Sequence, residues 1–165
     1  IADIVDRCQM NRQSFYYHFR DKYDLVNWIF YTELITELQN SPNKDEYEEL
    51  KNICRYLYDN RAFYINALKF TGQNSFYEYF GEVIYQLLKA AFNESFGNSD
   101  QSDFNAMFYA DALRACIFRW LTSGAKMPPD EFVGKIRSAL AISPENQRTL
   151  LKEAARGALT NVPWN

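Results

Sequence analysis

Apolar residues recur at helical spacing along almost the whole chain, and no stretch sustains the alternation expected of a strand. Ile1, Ile4 and Val5 make a one-sided apolar pattern, and Met10, Phe15 and Phe19 resume it after a break at Cys8 to Asn11. That interruption predicts two short helices joined by a tight turn. Asn11 is placed to cap the second of them, because its side-chain oxygen can take a free amide of the first turn, which is then Arg12, Gln13 and Ser14. Asp21 is placed to cap the helix that follows. Leu25, Trp28, Ile29 and Ile35 mark that helix as long, with Ser41-Pro42-Asn43 ending it.

Tyr47, Leu50, Ile53, Cys54 and Leu57 mark the next helix, and Asn60 reads as the cap of a short one containing Phe63, Tyr64, Ala67 and Leu68. Gly72 to Asn74 reads as a turn, after which Phe76, Phe80, Val83, Ile84, Leu87 and Leu88 line another helix. The polar stretch Asn93 to Asp103, with Gly97 inside it, reads as a loop. From about Phe104 to Ser123 the pattern is apolar nearly all round, so this helix must be covered on more than one side. Gly124 stops it and Pro128-Pro129 start the next, whose Phe132, Val133, Ile136, Ala139 and Leu140 form a stripe. Helices at about 104–123 and 128–142 can pair with their copies in a second subunit as a four-helix bundle, or they complete the core of one subunit. Pro144, Leu150, Leu151, Ala154, Ala155 and Ala158 suggest one extra amphipathic helix in a tail that ends near Trp164. The expected class is all-α: a helix-turn-helix head followed by an antiparallel helical bundle.

Composition adds limits. At 165 residues, 47% of them hydrophobic and 17% aromatic, the chain suits one compact helical body plus part of a head. No stretch reads as a membrane span or signal peptide. Cys8, Cys54 and Cys116 are odd in number, far apart and each set in a helical pattern, which reads as reduced packing residues of a cytoplasmic protein. The formal net charge is -3, unsuited to coating nucleic acid indiscriminately. A local surplus remains, since Arg7 to Lys22 holds four basic residues against Asp21 alone. Binding focused on so small a footprint calls for two copies, hence a dimer on a two-fold site.

The side chains of the second short helix carry the candidate chemistry. Arg forks onto guanine, Gln onto adenine, and Ser meets either base edges or phosphate, so Arg12, Gln13 and Ser14 fit the leading end of a helix that enters a major groove. Phe15 and Phe19, four apart, point inward, which turns Tyr16, Tyr17 and His18 outward toward a sugar-phosphate backbone. Lys22 sits at a helix start, where amides and an ammonium together suit a phosphate. The plain alternatives are a solvated charged face for Arg12, Arg20 and Lys22, and a half-buried core aromatic for Tyr16. His18, the single histidine, has no second histidine or clustered cysteine with which to share a metal, so it reads as a phosphate donor or a helix-end packing residue. No metal-ligand spacing, Gly-rich phosphate loop or nucleophile motif supports an enzyme, and no cofactor is expected.

The run Met10-Asn11-Arg12-Gln13-Ser14-Phe15-Tyr16-Tyr17-His18-Phe19, followed by Lys22 and Leu25, resembles the helix-turn-helix signature of the tetracycline-repressor (TetR) family of transcriptional regulators. One departure is Gln9, where that family usually has Gly in the turn. The resemblance implies a further helix before Ile1, so residues 1–25 are expected to be a partial head, 26–142 an effector and dimerisation domain, and 143–165 an extra helix or tail. It also implies double-stranded DNA as a partner and a homodimer through the last two main helices. Family members usually hold an effector between the body helices; here the lining would be drawn from Tyr56, Phe63, Tyr64, Tyr77, Tyr109 and Phe118. Asn60-Arg61-Ala62-Phe63-Tyr64, Phe70, Asn74-Ser75-Phe76 and Arg119-Trp120-Leu121 before Gly124 look like regulators related to the dihydroxyacetone-kinase activator. Control would then come from a small molecule or from a co-regulator protein. A helical interaction module that does not itself bind DNA is the second reading.

Overall fold

The computed structural model describes residues 1–39, 46–142 and 144–157, and among them there are helices and no strands. The head comprises α1 (Ala2–Arg7), α2 (Arg12–His18) and the start of α3 (Lys22–Phe30). After α3 the chain passes through a π-helical turn, Tyr31–Ile35, into α4 (Thr36–Gln39). The body follows as α5 (Glu46–Asp59), α6 (Arg61–Ala67), α7 (Phe76–Phe96), α8 (Asp100–Thr122) and α9 (Pro129–Leu140), with α10 (Pro144–Gly157) after them. No described helix is long and apolar enough to cross a membrane. The end expected at Ser41-Pro42-Asn43, together with Ala158 and Trp164 of the tail, lies outside the described residues.

The long antiparallel pair α7 and α8 forms the spine of the body. The Arg114 side chain of α8 lies against Gly81 of α7: a Cβ there would be 2.5 Å from Arg114 Nη1. Arg114 in turn lies over the Tyr77 ring at 4.3 Å and donates to Asp111 at 2.7 Å. Helix α9 is laid along α5, fixed by the two-pronged bond of Arg55 to Asp130 at 2.8 Å and by Arg137 over Tyr47 at 4.7 Å. Trp120 of α8 stacks on Phe132 of α9 at 4.6 Å while its Nε1 donates to the Met127 carbonyl at 2.9 Å. The core between these layers is strongly aromatic, with Phe30, Tyr64, Phe76, Phe80 and Phe118 all buried.

Several boundaries differ from those the pattern predicts. Most of the polar stretch over 93–103 is helix: α7 runs to Phe96, and Ser99 caps α8 by accepting from the Ser102 amide at 3.2 Å, leaving only Gly97 to Ser99 between them. Polar residues there continue the helix because their side chains are engaged locally: the buried Ser102 hydroxyl donates to the Gly97 carbonyl at 2.7 Å, and Asp103 pairs with Lys89 at 3.0 Å. Asn60 does precede α6, but its carboxamide donates back to the Tyr56 carbonyl at 3.0 Å and does not cap α6. Trp28, expected on the apolar face of the connecting helix, is 53% exposed and lies against Phe19 of the head at 5.6 Å. The face of α3 that meets the body is the one carrying Tyr23, Asn27 and Phe30, and the π-helical turn then lets Leu34 and Ile35 reach the core beside Phe30.

Candidate nucleic-acid interface

The turn of the head is built on backbone hydrogen bonds. After α1, the Met10 amide donates to the Val5 carbonyl at 2.9 Å and the Gln9 amide to the Asp6 carbonyl at 3.3 Å, the paired bonds of a Schellman end. Gln9 takes the left-handed position with φ 53°, so the departure from Gly keeps the conformation that Gly would favour. Asn11 then caps α2: its Oδ1 accepts from the Ser14 amide at 2.8 Å and from the Ser14 hydroxyl at 3.1 Å. Phe15, 2% exposed, anchors α2 with Phe19 at a ring distance of 5.6 Å.

With that face buried, the opposite face of α2 is open. Arg12 and Gln13 are exposed in the first turn, Tyr16 and Tyr17 are 55% and 85% exposed, and His18 is exposed with its ring edge-on to Tyr17 at 4.9 Å. Ser14 is half-buried and its hydroxyl is engaged by the cap. Asp21 caps α3 through the Tyr23 and Asp24 amides at 2.8 and 2.9 Å, and Asp24 accepts from the Arg20 amide at 3.1 Å. That placement leaves Lys22 exposed on the first residue of α3, its ammonium 4.9 Å from the Tyr23 ring centre. Arg7, Arg12, Arg20 and Lys22 are all exposed, whereas Asp21 is committed to amides, so the positive surplus legible in the sequence is a surface property.

The head is tied to the body along one face of α3. Tyr23 stacks on Phe70 at 3.8 Å, the Asn27 carboxamide donates to the Asn74 carbonyl at 3.3 Å, and Phe30 enters the aromatic core. The sequence pattern does not single out these three residues, although their spacing of four and three places them on a single helical face. A second link starts from the π-helical turn: the Tyr56 hydroxyl donates to Glu33 Oε2 at 2.7 Å and in turn accepts from the Tyr64 hydroxyl at 3.0 Å. Burial pushes the Tyr56 phenol up to about 12 and raises that of Tyr64 further.

The six residues expected to line an effector cavity are not gathered in one place. Tyr56, Tyr64, Tyr77 and Phe118 belong to the aromatic core, Phe63 is 43% exposed on α6, and Tyr109 stacks on Phe92 at 5.8 Å. Two clefts of about 410 Å³ each open elsewhere on the body. One lies between α7 and α8 beside Glu78, Asp111 and Arg114; the other is apolar and bounded by α5, α7, α8 and α9. None of the six lines either cleft. No group of three or more His, Cys, Asp or Glu among the described residues is arranged to hold a metal ion.

Comparison with known proteins agrees with this geometry. Residues 1–29 match the model of bacterial regulatory proteins of the tetR family, and residues 44–141, more than half of the chain, match that of a transcriptional regulator C-terminal region. Over 67 residues the chain is 37% identical to the HTH-type dhaKLM operon transcriptional activator DhaS of Lactococcus lactis subsp. lactis (strain IL1403). That match covers 39% of this chain and 35% of the relative, so it spans about a third of that protein's length. A capped α2 in the head and a body that is helical throughout its described residues, with both parts matched by the corresponding family models, make this chain a member of the TetR family of DNA-binding transcriptional regulators.

Proposed function

We propose that this regulator acts in the cytoplasm as a homodimer on a palindromic operator and is controlled by a small-molecule effector or a partner protein. The observation that carries the reading is the framed first turn of α2, where Arg12 and Gln13 project from a helix fixed by the Asn11 cap and the Phe15 anchor. Arg12 and Gln13 read base edges, and Ser14, held by its cap bond, braces the turn beside the backbone. Tyr16, Tyr17, His18 and Lys22 contact sugar and phosphate, which set register without reading sequence.

Dimerisation is supported by α8. Phe104, Met107 and Phe108 are 55%, 49% and 57% exposed, an apolar patch that a soluble surface rarely leaves open, and exposed Ala112, Ala115 and Cys116 continue it with small side chains. Two copies joined there present two recognition helices, which a two-fold site accepts when they lie about 34 Å apart. An effector or partner protein that changes how α3 is seated on the body shifts that separation.

The test is selection of bound duplexes from a random pool with the full-length protein. Recovery of a palindromic site whose sequence preference Arg12→Ala relaxes is the expected outcome. Tight selection unaffected by Arg12→Ala removes the base-reading role. No salt-dependent shift with any duplex favours an interaction module.

A further inference from the structure

The exposed side of α8 is graded in size along its length. From Phe104 to Arg119 its open positions fall in two neighbouring rows of every fourth residue: Phe104, Phe108, Ala112 and Cys116 in one, and Met107, Asp111, Ala115 and Arg119 in the other. Bulk is gathered at the N-terminal end, where Phe104, Met107 and Phe108 stand open, and gives way to Ala112, Ala115 and Cys116. Thr122 and Ser123, also exposed, continue the small end.

Charge is graded along the same side. Four carboxylates, Glu78, Glu82, Asp103 and Asp111, line the cleft that the N-terminal part of α8 forms with α7, where the one cation in the lining is Arg114. Asp111 is held there by the bond from Arg114 to its Oδ1 at 2.7 Å, which leaves its second oxygen to accept from another donor. Arg119, two turns further along α8, is exposed, and its guanidinium has no partner among the described residues. Lys126, beyond the end of α8, is exposed and unpaired in the same way.

The two gradients suit one arrangement of two copies. In a parallel pairing Phe104 and Phe108 would meet their own counterparts, as would Asp111 and Arg119, so bulk opposes bulk and like charges face each other. In an antiparallel pairing the bulky end of one helix meets the small end of the other, and carboxylate meets guanidinium twice, because every contact of a two-fold interface occurs in both directions. Asp111 and Arg119 lie four residues, about 6 Å, to either side of Ala115. A crossing at Ala115 thus brings Asp111 of each copy beside Arg119 of the other. Rows of every fourth residue lie alongside one another when helices cross at about 50°, and small Ala112, Ala115 and Cys116 permit close approach at that point.

We propose that a second copy covers this side of α8 with the two helices antiparallel and crossing at Ala115, and that reciprocal Asp111 and Arg119 pairs fix the register. The bond from Arg114 presets Asp111 as an acceptor, so little ordering is left to be done when the copies meet. The inference rests on the homodimer reading and adds to it an orientation, a register and the residues that choose the partner. A related chain with a different order of charges along this helix would place like charges together and be rejected.

The test uses the full chain. In sedimentation, Asp111→Arg and Arg119→Asp are each expected to weaken self-association at least tenfold, since each sets like charges together at two places. An equimolar mixture of the two variants regains both opposite-charge pairs in a mixed dimer, whose affinity is expected to lie within threefold of the original. A mixture no tighter than its components overturns the pairing. Because Asp111→Arg also loses the bond to Arg114, the crossing point is read separately in a Cys8→Ser, Cys116→Ser background, which removes the exposed thiols and leaves buried Cys54. There Ala115→Cys, oxidised with copper phenanthroline, is expected to give an inter-chain disulfide well above that of Phe104→Cys or Phe108→Cys. A dimer that cross-links best at another of these positions, or at none, keeps the homodimer and overturns the crossing; a chain monomeric at every concentration removes both.

Discussion

Tyr64, with no exposed surface, donates its hydroxyl to that of Tyr56 at 3.0 Å, and Tyr56 donates to Glu33 at 2.7 Å. This chain of two bonds runs from the centre of the body to the π-helical turn that leads out of the head. Removing different members of it has different costs. Tyr56→Phe leaves the Tyr64 hydroxyl buried without its acceptor and is expected to destabilise by about 1–3 kcal/mol, whereas Tyr64→Phe deletes the buried group together with its bond and costs about 1 kcal/mol. Urea unfolding of the two variants measures the difference. A Tyr64→Phe cost larger than that of Tyr56→Phe contradicts the donor order from Tyr64 through Tyr56 to Glu33.

The same phenols set an alkaline limit. Burial is the main cause that holds Tyr56 up at about 12, and Tyr64 is raised in the same direction. An unfolded tyrosine ionises near about 10, so below that pH both states keep the proton and the contribution is fully present. Between about 10 and 12 the unfolded chain has released its proton and the folded chain has not, so stability falls as pH rises. Urea midpoints taken from pH 8 to 11 should be level at first and then decline. The decline should be shallower in Tyr64→Phe.

Phe30 carries the mechanical connection of head to body. It is 0% exposed and lies among the rings of Tyr56, Tyr64, Phe76, Tyr79 and Phe80 at 5.2 to 6.4 Å. Phe30→Ala removes a ring from a packed interior and is expected to cost about 3–5 kcal/mol. The measurement is the denaturation midpoint. Unchanged stability would mean that α3 is not seated in the core through this ring.

Lys22 and Arg12 should be separable by salt. A phosphate contact contributes equally on every sequence, so Lys22→Ala should weaken operator and random duplex alike and lower the salt slope by about 1. Arg12→Ala should cost about 1–3 kcal/mol on the operator and much less on random duplex. Fluorescence anisotropy titrations at several salt concentrations distinguish them. Equal losses for Arg12→Ala on both duplexes would assign it to the backbone.

Local signals in the sequence are enough for the head. Asn11 and Asp21 are cap residues acting over three positions, and Phe15 with Phe19 is a contact of neighbouring turns, so sequence spacing and spatial distance coincide there. The body is legible only in outline, because its decisive contacts join residues far apart in the chain. Tyr23 meets Phe70, Asn27 meets Asn74, and Arg55 meets Asp130, and no periodicity announces any of them. Side-chain bonding also displaces two sequence signals: Asn60 turns its carboxamide back to α5, and Ser99 with Ser102 extends helix into a stretch whose composition suggests a loop. The left-handed turn at Gln9 shows a third cause, since backbone bonds on both sides hold a conformation that the residue itself does not favour.

The Thr36 amide reaches back five residues to the Tyr31 carbonyl, and this one wider turn governs an angle. Each residue of an α-helix advances the chain by about 100° around its axis, so one residue accommodated in the widened turn offsets everything before it from everything after it by that amount. Because Tyr23, Asn27 and Phe30 seat α3 on the body ahead of Tyr31–Ile35, that offset is the phase of α4 relative to an α3 already held in place. Removing a single residue there would leave α3 seated on the body and rotate α4, with Leu38, by about 100° relative to it.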